Sequence, residues 1–257
     1  MKTDFALKVL TAPLGKTHLF SVGQAGFIIK SASGQLLGID LYLSDCGERI
    51  EGHIGFKRLL PKILATFDLE FDALIATHPH FDHFDPDSIP ELMSNHHTKL
   101  FASKECRKQT ERLQMTDDNI TYVAPGDNCK TGNFCIHFVN CDHGKGAPDA
   151  VGVIVDVDGK RFYEAGDTCL RLDRIPEYKQ FGPIDILTAP INGAYGNMNE
   201  KDCASFAAAL QPGLVIPCHY GLFASHGGNP GLFYDLIKQT NPQIPISLLS
   251  ISEKLTF

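Results

Sequence analysis

The stretch THPHFDHFD, residues 77–85, places four side chains able to bind a metal within six positions: His78, His80, Asp82 and His83. Imidazole and carboxylate donors suit Zn²⁺, Mn²⁺ or Fe²⁺, and donor type alone does not choose among them. His78 and His80 stand two residues apart, so in extended chain they face the same way. Asp82 and His83 come after the chain has turned, which lets one loop serve two neighbouring ions. Two ions need more donors than this loop provides. Three further candidates follow apolar runs: His143 after FCIHFVNC, Asp167 after KRFYEAG and His219 after GLVIP. Each alone has a plainer reading, since a lone histidine is commonly structural and Asp167 in GDT can cap a helix. Together they make five histidines and two aspartates, enough for two ions. Paired ions of this kind sit about 3.5–4 Å apart and share a water whose pKa falls to around 7.

Such residues need rigid platforms, and strand ends supply them. FDALIAT reads as a buried strand, apolar on both faces, running straight into the loop. THLFSVGQAGFIIK and GQLLGID read as short strands, so the first forty residues are expected as strands and turns. PDSIPELMSNHH is expected as a helix with Pro86 near its start, and SKECRKQTERLQ as a helix with Ser103 as N-cap. NFCIHFVNC alternates, with Phe134, Ile136 and Phe138 on one face. AVGVIVDVDGKRFYEAGD reads as a hairpin turning at Asp158-Gly159, a type I′ signal. IDILTAP and GLVIPCHYG follow as strands. NEKDCASFAAALQP, ending before Pro212, and NPGLFYDLIKQT follow as helices. The pattern predicts one α/β domain over residues 1–257 with mixed sheets.

The bulk composition narrows the class of function. The chain has 257 residues, 43% hydrophobic and 21% charged, with a net charge of −7. An acidic chain without a basic run argues against nucleic-acid binding, which draws affinity from Lys and Arg on phosphates. No run approaches the roughly 18 apolar residues of a membrane span. MKTDFALKVLTAPLGK has no sustained apolar core, so no secretory leader is expected. Eight cysteines without a C-x-x-C pair are expected as reduced thiols in a cytoplasmic protein. A homo-oligomer is compatible with a soluble enzyme of this size, with no residue that specifies one.

The set H-x-H-x-D-H at 78–83, then His143, Asp167 and His219 in that order, resembles the metallo-β-lactamase superfamily over nearly the whole chain. The resemblance implies a four-layer αββα sandwich, with two mixed β-sheets face to face, helices outside and the ions at one edge. It implies that His78, His80 and His143 hold the first ion. Asp82, His83 and His219 hold the second, and Asp167 bridges both. Asp40, in LLGIDLYLSD, matches the family's early strand-end aspartate, whose implied role is to orient the loop histidines. The stretches IDLYLSDCGE and FGPIDILTAPINGAYGNMNEKDCASFAAALQPGLVIPCHYGLFA resemble the L-ascorbate-6-phosphate lactonase-like branch, with Leu41 where that branch usually has proline.

The expected activity is a binuclear hydrolase whose bridging hydroxide opens a small anionic ester or lactone, such as a sugar-acid lactone phosphate. Asp82 is expected to accept or relay the proton. Two divalent ions, two aspartates and one hydroxide leave about +1 of charge, which would draw in an anionic tail. Lys145 and Arg171 could grip that tail or be solvated surface cations. Asn192, Tyr195 and Asn197, in a Gly- and Asn-rich loop, could line the pocket, as could Tyr220 and His226. Cys169 and Cys218 read as small core residues, and His18, His53 and His137 have no motif context. The alternative enzyme is a phosphodiesterase or nuclease using the same ions. The non-catalytic alternative, a metal-binding member of the superfamily, predicts broken ligand positions, and here all seven are filled.

Overall fold

The computed structural model describes residues 2–52, 54–115 and 118–257. His53 lies outside the described residues. The chain opens not with a strand but with α1 (Asp4–Leu10). Thr3 caps its start, accepting from the Ala6 amide at 3.3 Å. Its end is closed by Lys30, whose ammonium donates to the carbonyls of Val9, Leu10 and Ala12 at 2.9 Å each.

The first sheet takes β1 (His18–Gly23), β2 (Gly26–Lys30), β3 (Leu36–Ile39), β4 (Ala73–Ala76), β5 (Lys99–Ser103) and β6 (Ile120–Val123). β1 to β3 pair antiparallel, and β3 to β6 pair parallel. The second sheet takes β7 (Asn128–Thr131), β8 (Phe134–Asn140), β9 (Val151–Val157), β10 (Lys160–Glu164), β11 (Ile186–Pro190) and β12 (Leu214–Cys218) in that spatial order. Its last two junctions are parallel and the others antiparallel. A short β13 (Lys254–Thr256), with no clear apolar signal in the sequence, returns to pair with β1.

The sheets meet face to face. Leu19, Ile29, Leu37 and Ile75 of the first interlock with Ile136, Phe138, Val153 and Phe162 of the second. Phe134, Ile136 and Phe138 all point into this layer, as their alternation predicts. Each such side chain contributes roughly 1.5–3 kcal/mol on full burial. Outside the first sheet pack α1 and α3 (Ile89–Leu92). Outside the second pack α5 (Ile175–Lys179), α6 (Glu200–Leu210) and α7 (Pro230–Thr240). The result is the expected αββα sandwich.

Local chemistry explains the elements. Asp158 and Gly159 have φ of 51° and 75°, as a type I′ turn requires, and Val157 pairs with Lys160 across it. Asn199 and Asp202 form a reciprocal capping box at the start of α6. Two helix expectations need correction. Only four residues after Pro86 form α3, because Asp85 holds the chain ahead of it, accepting from the Ser88 amide and hydroxyl at 3.2 and 2.7 Å. Ser103 caps no amide: its hydroxyl faces the Cys106 thiol at 3.4 Å, and a 3₁₀ turn precedes α4 (Arg107–Arg112).

Candidate metal centre

Five strands end at one edge of the sandwich, and each delivers part of a single cluster. Asp40 follows β3, the 77–85 loop follows β4, His143 follows β8, Asp167 follows β10 and His219 follows β12. Beyond β4 the chain runs extended through His78 and His80, then turns. The amides of His83 and Phe84 both donate to the His80 carbonyl, at 3.0 and 2.7 Å. That turn brings Asp82 and His83 back toward the strand end. Phe84, 1% exposed, is driven into the outer core beneath it. Asp85 pins the loop to the neighbouring segment, accepting from the amides of Leu43 and Ser44 at 2.9 and 2.8 Å.

The seven predicted donors converge. Ligating atoms of His78, His80 and His143 lie within 4.8 Å of one another, as do those of Asp82, His83 and His219. Asp167 stands between the groups. Its Oδ2 is 3.6 Å from His143 Nε2, and its Oδ1 is 3.0 Å from His219 Nε2 and 3.4 Å from His83 Nε2. Gly166 allows this approach: it has φ +66°, and a Cβ there would come 3.1 Å from the Val151 carbonyl. Asp167 Oδ1 is buried yet accepts no well-angled hydrogen bond, despite imidazole nitrogens at 3.0–3.4 Å. A buried carboxylate oxygen left without a hydrogen bond among converging imidazole nitrogens describes donors that fit cations.

Asp40 is wholly buried and accepts three bonds: from the Thr77 amide at 2.8 Å, the Thr77 hydroxyl at 2.7 Å and His83 Nδ1 at 2.7 Å. The last fixes the His83 ring and leaves its Nε2 facing the cluster. Asp40 and His219 both hold left-handed backbone, φ 47° and 62°, conformations that non-glycine residues adopt at a cost.

One contributor is not visible in the sequence. Gln24, in the β1–β2 turn, donates from Nε2 to Asp82 Oδ2 at 2.9 Å, and its main-chain carbonyl accepts from the His219 main-chain amide at 2.8 Å. Its only local signal is a lone polar residue in the tight turn SVGQAGF.

The two groups differ electrostatically. Burial, reinforced by the charge of His83, lowers His78 and His80 below the usual histidine range. Burial takes His143 down to about 4. These three are neutral imidazoles at neutral pH. In the second group burial is outweighed. Asp167, Asp40 and Asp82 push His83 well up, and Asp167 and Asp82 raise His219 to about 9. Burial opposes ionisation of Asp82 and Asp167, yet His83 and His219 hold both below the usual carboxylate range.

Among the candidate substrate contacts, Tyr195 and His226 reach the pocket over the cluster, a space of about 210 Å³ that Glu51, Phe56 and Phe81 also line. Asn192 and Asn197 are buried and bond each other at 3.2 Å, and neither lines that pocket. Tyr220 lines a separate groove of about 520 Å³ behind Gln24 and His219. Lys145 is exposed on the turn after His143, outside the pocket. Arg171 is held by Asp142 and by Asp173, the latter at 2.7 Å, which leaves its guanidinium engaged away from the pocket. All eight cysteines are free, and Cys218 packs in the inter-sheet core. His18 bonds Thr256 and the Pro13 carbonyl, and His137 bonds Asn128 and Asp156, so both are structural.

Comparison with known proteins points the same way. The profile of a family described as Beta-lactamase superfamily domain matches residues 18–219. A UPF0173 metal-dependent hydrolase from Anaeromyxobacter dehalogenans is 26% identical over 233 residues, covering 85% of this chain and 80% of that one. Igni18, a metallo hydrolase from the archaeon Ignicoccus hospitalis, superposes with a TM-score of 0.75 at 21% identity, over 94% of this chain and 98% of that one. CmlA, a diiron β-hydroxylase from Streptomyces venezuelae, gives 0.70 at 16% identity, over 96% of this chain and 54% of that one. At these identities the two structural likenesses speak to the fold. Among the described residues no helix is long and apolar enough to cross a membrane.

Proposed function

The chain belongs to the β-lactamase superfamily, in its metal-dependent hydrolase form, and from that premise we propose a binuclear enzyme that opens a small ester or lactone. The observation that carries this reading is Asp167, buried between two three-residue clusters and in reach of both. His78, His80 and His143 would hold one ion, Asp82, His83 and His219 the other, and Asp167 both. Zn²⁺ and Mn²⁺ suit these donors, and Fe²⁺ does as well. When bound, such ions supply Lewis acidity and bring a water's pKa to around 7.

The protein's own groups do the rest. Asp82 is kept ionised by His83 and His219 and steadied by Gln24, which places a carboxylate at the pocket floor to orient a water and relay its proton onward. Asp40 holds His83 in one tautomer throughout. Phe56, Phe81 and Tyr195 wall the mouth and limit water. The lactone half of the resemblance to the L-ascorbate-6-phosphate lactonase-like branch fits this site. Its phosphate half meets no Lys or Arg among the described residues lining the pocket, so we retain the lactone and not the phosphate.

The test is a panel of lactones, esters and phosphodiesters assayed before chelation, after it and after metal is restored. Lactone or ester turnover lost with the metal and regained with it supports the reading. Turnover of phosphodiesters alone would replace it with a phosphodiesterase, and no turnover by metal-loaded protein would overturn it.

A further inference from the structure

We propose that the mouth of this centre selects substrates bearing a flat, uncharged apolar group, a single aromatic ring being the simplest case, beside the scissile ester or lactone bond. The inference rests on the hydrolase reading and names the non-reacting end of its substrate.

Three separate loops bring aromatic rings to the mouth. Phe56 comes from the turn after α2 (Cys46–Glu51), Tyr195 from the glycine-rich loop after β11, and His226 from the loop after β12. Their rings are in mutual contact. Centroids lie 5.8 Å apart for Phe56 and Tyr195, 5.3 Å for Tyr195 and His226, and 6.0 Å for Phe56 and His226. Phe81, within the ligand loop between His80 and Asp82, meets Phe56 edge-on at 5.3 Å, and His226 in turn lies 5.0 Å from the ring of His219. The wall therefore runs unbroken from the rim to the donor cluster.

Tyr195 is 56% exposed, and Phe56 and Phe81, half-buried against Tyr42, Cys46, Leu222 and Phe223, turn their remaining surface to the pocket. Aromatic surface lining a concavity with a few convergent polar groups is how small-molecule sites are built. The space, about 210 Å³, is below the roughly 300–1,000 Å³ of drug-sized ligand pockets, which limits the group to about one ring.

The charge of the wall disfavours the main alternatives. Outside the donor cluster, Glu51 and His226 are the acidic or basic side chains among the described residues lining the pocket, and no Lys or Arg is among them. Arg58, two residues beyond Phe56, is turned to the carbonyls of Tyr42 and Ser44 at 2.7 and 3.1 Å. A phosphate tail would be drawn by the net charge of about +1 of the loaded centre, but in the wall it would lose water, face Glu51 and find no cation to pair with. A quaternary ammonium would suit the rings, but it would lie beside ions that leave the centre about +1. An uncharged ring pays neither penalty.

The experiment uses the full chain loaded with Mn²⁺ or Zn²⁺ and three γ-lactones that differ only in the substituent: phenyl, phosphate-bearing and trimethylammonium-bearing. Expected is a kcat/KM for the phenyl lactone at least about tenfold above the other two. The phenyl-to-phosphate ratio falls roughly two- to tenfold in Tyr195→Ala, the scale of one aromatic pair, while Tyr195→Phe keeps it. Because each ratio is taken within one variant, loss of folded protein cancels. Preference for the phosphate or ammonium lactone, or an unchanged ratio in Tyr195→Ala, would overturn the inference. Hydrolysis of none of the three would instead count against the hydrolase reading. Calorimetric binding of the matching phenyl and phosphorylated hydroxy acids then decides the inference alone: tighter phenyl binding, weakened in Tyr195→Ala, sustains it, and tighter phosphate binding ends it.

Discussion

Replacing Asp40 with Asn should strip one ion while sparing the other. The carboxylate accepts from the Thr77 amide, the Thr77 hydroxyl and His83 Nδ1, at 2.7–2.8 Å. An amide in the same place has one acceptor oxygen and one donor nitrogen. The oxygen can keep the Thr77 amide, but the nitrogen then faces His83 Nδ1, two donors nose to nose. His83 relieves this by moving its proton to Nε2, the atom that faces Asp82, Asp167 and His219. Asn also tolerates the left-handed backbone of residue 40, φ 47°, so the substitution adds little strain. Loss of such a supporting partner typically costs 10–100-fold in metal affinity, about 1.4–2.7 kcal/mol. His78, His80 and His143 make no bond to Asp40, so their ion should be retained. Metal content per chain, measured by mass spectrometry after equilibration with graded chelator, should fall in two separated steps in Asp40→Asn. Two ions held with unaltered affinity would refute the role assigned to Asp40.

Three further outcomes follow from the geometry. Gln24→Leu removes the amide donor to Asp82, a bond to a charged acceptor worth about 1.5–3 kcal/mol, so kcat/KM should drop at least about tenfold in steady-state assays. In metal-free protein His219 is raised to about 9, above its ordinary value of about 6.5. It is therefore protonated at pH 7.5 and must lose that proton on ligation, whereas His143, lowered to about 4, is already neutral. Metal affinity should thus rise with pH through about 9, and calorimetry in buffers of different ionisation enthalpy should show about two protons released per chain, one from His219 and one from His83, which the neighbouring aspartates also push up. Lys30→Met should leave the carbonyls at the end of α1 without their ammonium, costing about 2 kcal/mol and lowering the melting temperature by about 4–8 °C.

The loop at 77–85 is legible in the sequence because its donors are close along the chain and follow an unmistakable buried strand. His143, Asp167 and His219 are legible only as a set, since each is a single residue at the end of a run of apolar residues. The hairpin at Asp158-Gly159 and the helix that ends before Pro212 are local chemistry and legible as such, while the Asn199–Asp202 capping box is seen in the structure alone. Tertiary placement is what the sequence withheld. Arg171 lies four residues from Asp167, yet Asp142 and Asp173 claim its guanidinium. Gln24 lies far from every donor in the chain and touches Asp82 in space. Phe56 and Glu51 have no motif, and Phe81 fills an unspecified position of the ligand loop; they reach the pocket because separate loops pack against one another. The helix α1 is not legible because seven residues with one Thr cap give too short a period to outweigh the strand signals after it.

The central claim is two ions held by seven residues at one sandwich edge. Protein purified without added metal or chelator, and analysed by mass spectrometry for metal per chain, tests it most directly. Close to two divalent ions per chain are expected in the wild type, falling to about one in His219→Ala. No metal as purified, and none taken up on reconstitution with Zn²⁺, Mn²⁺ or Fe²⁺, would contradict it.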